Sequence, residues 1–325
     1  MSRALTFSLT LLAMIAFAGN SLLCRVALKN TPIDAASFTS IRIVSGALAL
    51  WLIVRLRGYR RSRRLGALPT SMWGGYRRSR RLGALPTTPH VGTSHIHVGR
   101  LWGGSGSWPS AFALFAYAAC FSFAYINLPA ATGALLLFGA VQATMIGYGL
   151  WTGERLGLRH SAGLLCASAG LLWLMLPGVS APPLIASILM LAAGCAWGVY
   201  SLRGKGTADP TDATMGNFLR AVPVTIVLSA MAWPWMSLDR DGVCYAIASG
   251  ALTSGVGYAV WYTALRGLKA TSAAAVQLSV PVFAAIGGMA FLGESLSLRL
   301  LIASAAIWGG IALVIVDRSS KPALP

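Results

Sequence analysis

The chain has 325 residues, is 56% hydrophobic and 10% charged, and carries a net charge of +18. A soluble domain carries roughly 25% charged residues, and the apolar excess here falls into stretches about a membrane's width long. The composition therefore excludes a soluble catalytic domain and predicts an all-α membrane protein with ten transmembrane helices.

The first predicted span, 5–24, follows Arg3 and contains Ala16-Phe17-Ala18, a pattern compatible with a cleaved secretory signal. Residues 16–28 (AFAGNSLLCRVAL) are echoed at 191–203 (LAAGCAWGVYSLR), with Gly19 matching Gly194. A segment with an internal counterpart is expected to remain part of the fold. In span 2 (34–54), Asp34-Ala35 precedes Arg42 by the same eight residues that separate Asp212-Ala213 from Arg220 at span 7 (215–235). Between spans 2 and 3, GYRRSRRLGALPT occurs at 58–70 and again, letter for letter, at 75–87. His90, His95 and His97 follow in HVGTSHIH. Their spacing fits no established metal site, so they read as solvated loop residues.

Spans 3 (109–126) and 4 (130–151) lead to Gly153-Glu154, and span 5 covers 161–177. Spans 6 (183–202) to 10 (298–316), including span 8 at 243–265 and span 9 at 271–292, repeat this plan. AATGALLLFGAVQATMIGYGLWTGE at 130–154 corresponds to ATSAAAVQLSVPVFAAIGGMAFLGE at 270–294. Gly153, Glu154, Leu158 and Arg159 stand 140 residues before Gly293, Glu294, Leu298 and Arg299. The offset is about 175 at spans 1 and 6, 178 at spans 2 and 7, and 140 from span 3 onward. The first half thus carries about 35–38 extra residues, near 71–107. This basic insert is expected to be irregular and outside any mechanism. Five spans per copy is an odd number, so the copies are inverted repeats, 1–177 and 178–325.

Of the 26 Lys and Arg, four fall in loops on one side (Arg25, Lys29, Arg240, Arg299), Arg42 and Arg220 lie inside spans, and the remaining 20 fall on the other side. This positive-inside bias explains the charge without nucleic acid and predicts both termini in the cytoplasm. The five cysteines (24, 120, 166, 195, 244) are scattered and read as packing residues.

Two inverted five-helix copies, each with Gly-Glu after its fourth span, resemble the drug/metabolite transporter (DMT) superfamily and its ten-helix EamA-type members. The closest stretch is 257–314, with the basic loop after span 8, the Val-Pro-Val-Phe break in span 9, Gly293-Glu294 and a Gly-rich tenth span. The first copy shows the same layout more weakly, with Gln142 beside the position of Pro281. Among members, the chain resembles the bacterial aromatic amino acid exporters (YddG-like). The resemblance implies an exporter in the bacterial inner membrane with a central cavity between the repeats.

The eight acidic residues, Asp34, Glu154, Asp209, Asp212, Asp239, Asp241, Glu294 and Asp317, all fall at predicted span ends, in loops or in the tail. Coupled carriers usually keep an ionisable or carbonyl-rich site at mid-depth. The pattern favours facilitative export, with Glu154 or Glu294 as a proton carrier the alternative. Arg42 and Arg220 each lie eight residues into a span, about 12 Å deep, where a charge costs a few kcal/mol unless it pairs or snorkels. Each could hold a substrate carboxylate. Inversion favours pairing instead, Arg42 with Glu294 and Arg220 with Glu154.

Candidate substrate-binding residues are the aromatic and amide side chains within spans: Asn20, Tyr117, Gln142, Trp197, Tyr200, Tyr258, Trp261 and Gln277, with Tyr125 and Tyr262 beside them. Flat walls with a few orienting polar groups suit a hydrophobic amino acid. Trp151, Trp233, Trp235 and Trp308 read as interfacial anchors. Pro281 is expected to break span 9 and, with Gly287-Gly288, to act in gating together with Arg42, Glu154, Arg220 and Glu294. No catalytic residue, metal or cofactor is expected. The partners are a small-molecule substrate and the lipid bilayer, with no nucleic acid; the oligomeric state is open, and a monomer is compatible with the pattern. Export of other metabolites or cationic drugs, proton-coupled, is the alternative. An integral-membrane enzyme acting on a lipid-linked substrate is more distant, because such enzymes cluster their acids at one face.

Overall fold

A computed structural model describes residues 3–66, 105–153, 158–176, 181–204, 207–265, 268, 276–277 and 279–319. Ten helices follow in order: α1 (Arg3–Asn30), α2 (Ala35–Gly66), α3 (Trp108–Tyr125), α4 (Ala130–Trp151), α5 (Leu158–Met175), α6 (Leu184–Gly204), α7 (Pro210–Met231), α8 (Arg240–Leu265), α9 (Val280–Leu292) and α10 (Leu298–Ser319). No strand occurs among the described residues. Seven of the helices are long and apolar enough to cross a membrane, and shorter apolar helices lie in α5, α9 and α10. In hydrocarbon a helix satisfies its own backbone, which is why an apolar chain of this kind adopts no other element.

The helix ends carry the signals that polar residues leave in an apolar sequence. Asp34 accepts from Ala36 N and Ser37 N, both at 2.9 Å, at the start of α2. Ser107 caps α3, Asp209 caps α7 ahead of Pro210, and Asp239 caps α8. The α9 helix ends at Gly293, whose φ of +62° is the left-handed conformation that glycine tolerates. Gly153, after α4, has φ +93°, and these two are the only positive-φ residues among those described. The repeated Gly-Glu motif thus marks a repeated left-handed helix stop.

The packing carries the same two-fold relation. The α3–α6 contact matches α8–α1, α4–α6 matches α9–α1, and α3–α7 matches α8–α2. The pairs α2–α7, α4–α9 and α5–α10 join equivalent helices. Exchanging helix n with helix n+5 therefore reproduces these principal contacts, as expected of ten helices forming two inverted five-helix repeats. Large apolar residues such as Phe7, Leu165, Ile185 and Phe291 face outward, where lipid replaces water as solvent. Trp151, Trp233 and Trp235 are exposed, whereas Trp308 is half-buried against the core, in contrast to the anchor role expected of it.

Two details change the sequence reading. Residues 71–104 of the insert, with His90, His95 and His97, lie outside the described residues, but its last three residues belong to the fold. Ser105 N donates to Asp212 Oδ2 at 3.0 Å, Ser107 N donates to Asn217 Oδ1 at 2.9 Å, and a Cβ on Gly106 would overlap the α7 backbone. Deleting 71–104 should leave expression and melting temperature unchanged, whereas deleting 71–107 should lower the melting temperature by several degrees; thermal melts in detergent compare the two.

Asp34 also ties two loops on one face, since Ser237 N donates to its Oδ2 at 3.0 Å. Partial burial raises the Asp34 carboxyl, but hydrogen bonds from Ser37, Ser237 and Ala36 outweigh this and hold it below its usual value of 3.8. A depressed folded value contributes stability above the unfolded pKa that is lost as pH falls through the folded one. The Asp34→Asn variant should therefore melt below the parent at neutral pH. The gap should close as pH drops below about 4, and a pH series of melts reads this directly.

Candidate functional site

The centre of the molecule, between the repeats, is an aromatic box. The Tyr117 and Trp197 rings lie 4.8 Å apart, Trp197 and Tyr258 5.1 Å, and Trp197 and Tyr200 5.4 Å. Phe17 meets Tyr258 and Trp261 edge-on at 5.9 and 5.8 Å. Such offset and edge arrangements are those aromatic quadrupoles prefer. The box surrounds a cavity lined by Asn20, Ser21, Tyr117, Phe121, Trp197 and Tyr258, among others. Its free space is about 20 Å³, enough for about one water. A larger solute enters only if the walls move.

A polar chain threads this box. Ser249 Oγ donates to Asn20 Oδ1 at 2.7 Å, and Thr253 Oγ1, whose proton goes chiefly to Ser249 O at 2.6 Å, stands 3.3 Å from the same oxygen. Asn20 Nδ2 donates to Tyr117 Oη at 3.2 Å, and Arg42 Nη2 donates to the same oxygen at 3.0 Å. Arg42 Nε reaches Ser254 Oγ at 3.4 Å. Tyr117 thereby uses both acceptor positions of its oxygen, and these two bonds leave its own proton as a donor.

Ser249, Thr253 and Ser254 lie on a π-helical stretch, Ser249–Val256, within α8. The wider turn lets this segment press against α2. A Cβ on Gly250 would overlap Ser45 Oγ and the Arg42 carbonyl, and one on Gly255 would crowd Ala49. Wide turns of this kind often mark functional positions in helices.

Arg42 is 2% exposed. Its guanidinium sits 4.9 Å over the Phe121 ring and 5.2 Å over that of Tyr117, one layer behind the cavity wall that those rings form. Its Nη1 is buried and has no hydrogen-bond partner, and no carboxylate pairs with it among the described residues. The expected Arg42–Glu294 pair is therefore not formed. Glu294 instead pairs with Arg25, Nε to Oε1 at 3.2 Å, and its Oε2 accepts from Ala130 N at 2.7 Å, capping α4. The apolar stretch of span 1 stops at residue 24, which hides this partner from the sequence. The α1 helix runs on to Asn30 and carries Arg25 and Lys29 to the end of α9, where Lys29 Nζ donates to Leu292 O at 3.1 Å.

Of the other expected positions, Asn20, Tyr117, Trp197 and Tyr258 meet at the cavity. Trp261 stands behind Phe17, and Tyr200 behind Trp197, where its hydroxyl bonds Thr214 and Asn217. Gln142 is buried in α4, and Gln277 is half-buried just before α9, neither on the cavity wall. Tyr125 packs edge-on to Phe121 and donates to Ala130 O, joining α3 to α4. Pro281 stands in the first turn of α9, which begins at Val280, and most of span 9 before it lies outside the described residues. Arg220 Nη1 donates to Gly216 O at 2.9 Å, and Glu154 lies outside the described residues. Reading for aromatic and amide residues missed Phe17, Ser21, Phe121 and the α8 hydroxyls. The Ser-Gly-rich run SGALTSGV inside an apolar span was the available signal, since small residues mark close helix contacts. No group of His, Cys, Asp or Glu that could hold a metal occurs among the described residues.

Residues 184–316 match the family model described as the EamA-like transporter family. The chain is 49% identical to an uncharacterized protein of Pseudomonas aeruginosa over 98% of this chain and 97% of that one. It is 33% identical to the threonine/homoserine exporter RhtA of Escherichia coli over 42% of this chain and 48% of RhtA. A solved crystal structure, 17% identical, superposes with a TM-score of 0.57 over 95% of this chain and 98% of the other, a likeness of fold.

Proposed function

The chain belongs to the EamA-type transporters of the drug/metabolite transporter superfamily, and from that premise we propose that it exports an amino acid by alternating access through the aromatic box. The observation that carries this reading is Arg42. A buried guanidinium with an unpartnered Nη1 and no carboxylate beside it fits an anionic group brought by the solute. Arg42 Nη1 and the Tyr117 hydroxyl proton could together hold an α-carboxylate once the Tyr117 and Phe121 rings part. Asn20 and the α8 hydroxyls would orient the solute's other polar atoms.

The aromatic walls favour a hydrophobic or aromatic side chain. The hydroxyl and amide lining, together with the likeness to a threonine/homoserine exporter, favours a hydroxylated one. Every described carboxylate stands at or near a helix end or in a loop, which supports facilitative export down the solute gradient. The charge bias supports placement in the bacterial inner membrane with both termini in the cytoplasm.

Trp197, on the cavity wall, makes the test direct. Titrating the purified protein with the twenty amino acids should change its tryptophan fluorescence saturably for a subset. The corresponding amines, which lack the carboxylate, should not compete. Equal competition by those amines would remove the Arg42 reading.

A further inference from the structure

An ion pair stands one helical turn from the aromatic cavity, and its carboxylate lines a second cavity. Ser21 and Phe121 line the aromatic cavity. One turn on, Arg25 and Tyr125 stand on the same helices. Arg25 Nε holds Glu294 Oε1 at 3.2 Å, while its Nη1 donates to Tyr125 O and Ile126 O at 2.9 and 2.7 Å. Glu294 Oε2 holds the start of α4 through Ala130 N. Two side chains thus tie α1 to α9, α1 to α3, and α9 to α4.

Beyond them opens a second cavity of about 270 Å³, whose polar lining includes Glu294, Asn127, Thr132, Ser295 and Ser297. Among the described residues, Glu294 is the one charged residue in that lining, and Arg25 is not part of it. The carboxylate has room for about four hydrogen bonds and spends one per oxygen on Arg25 and Ala130. The vestibule therefore presents a carboxylate with unused acceptor capacity, while its counter-cation stays behind it.

We propose that this vestibule is an exit subsite for a primary ammonium group, and that an ammonium taken up by Glu294 breaks its tie to Arg25 of α1. The ammonium competes with Arg25 for Oε1. Arg25 keeps its two carbonyl partners at the end of α3, so its charge is not stranded. Loss of that ion pair, with Lys29 still held by Leu292 O, frees the Arg25 turn of α1 beside the aromatic cavity. That a departing solute would carry this ammonium rests on the amino acid reading above; the subsite itself does not.

The test uses Ser21→Cys as a probe of the inner cavity, in the full chain with its five native cysteines replaced. A membrane-impermeant thiol reagent is applied to right-side-out and to inside-out vesicles. With Glu294 present, methylammonium at neutral pH should speed labelling at least about fivefold from one side, and acetate should not. Glu294→Gln, which keeps an oxygen for Ala130 N but loses the charge, should label fast without methylammonium and gain nothing from it. If that variant fails to fold, Arg25→Gln should give the same fast labelling. No acceleration by methylammonium from either side, or slow labelling in a folded Gln variant, overturns the proposal. Methylammonium carries no carboxylate, so this outcome is separate from that of the amino acid titration.

Discussion

Replacing Arg42 by Gln is expected to weaken binding of the carboxylate solute by about 10- to 100-fold. Hydrogen bonds to charged groups contribute about 1.5–3 kcal/mol, and each 1.4 kcal/mol is tenfold in affinity. Gln ends two bonds short of Nη2, but the Tyr117 oxygen keeps Asn20 Nδ2 as a donor, so the polar chain Asn20–Tyr117 need not collapse. The loss should be specific to the anion. An ester or amide of the same solute should bind the parent and Arg42→Gln alike, by fluorescence titration. Equal weakening for acid and ester would make Arg42 a packing residue.

Among the described glycines, Gly250→Ala is expected to have the largest structural effect of a single added methyl group. Its Cβ would meet the Arg42 carbonyl, which is backbone and cannot swing away. The α8 π-helical segment would have to move off α2. Overpacking of this kind typically costs about 1–3 kcal/mol. The displacement would also pull Ser254 from Arg42 and Ser249 from Asn20, so transport should be lost together with several degrees of melting temperature. Gly147 is the control, because an added Cβ there meets nothing within 4 Å. Gly147→Ala should be neutral or slightly stabilising, as alanine is the better helix former.

The fold was legible because its determinants are local and repeated. Apolar runs gave the ten helices, Asp34 and Asp239 stand at helix starts, and the paired Gly-Glu motif marks the left-handed stops at Gly153 and Gly293. The aromatic part of the box could be read as well, since Tyr117, Trp197 and Tyr258 stand out inside apolar spans. The partner of Glu294 could not. It depends on how far α1 extends past its apolar stretch, and Arg25 looked like a loop residue. The α8 hydroxyls were hidden for a different reason. A π-helical turn shifts side-chain direction, and SGALTSGV reads by composition as ordinary small-residue packing. Depth in the bilayer identified Arg42 as costly, but only packing revealed that aromatic rings, rather than a carboxylate, surround it.

Counterflow in proteoliposomes tests the central claim most directly. Vesicles of the purified protein are preloaded with an unlabelled amino acid that binds in the fluorescence titration, then given the labelled one outside. Facilitative export through the aromatic box predicts transient accumulation of label by exchange, with or without a pH gradient, and its loss in Arg42→Gln. Uphill accumulation that requires an imposed pH gradient, or undiminished exchange in Arg42→Gln, would contradict it.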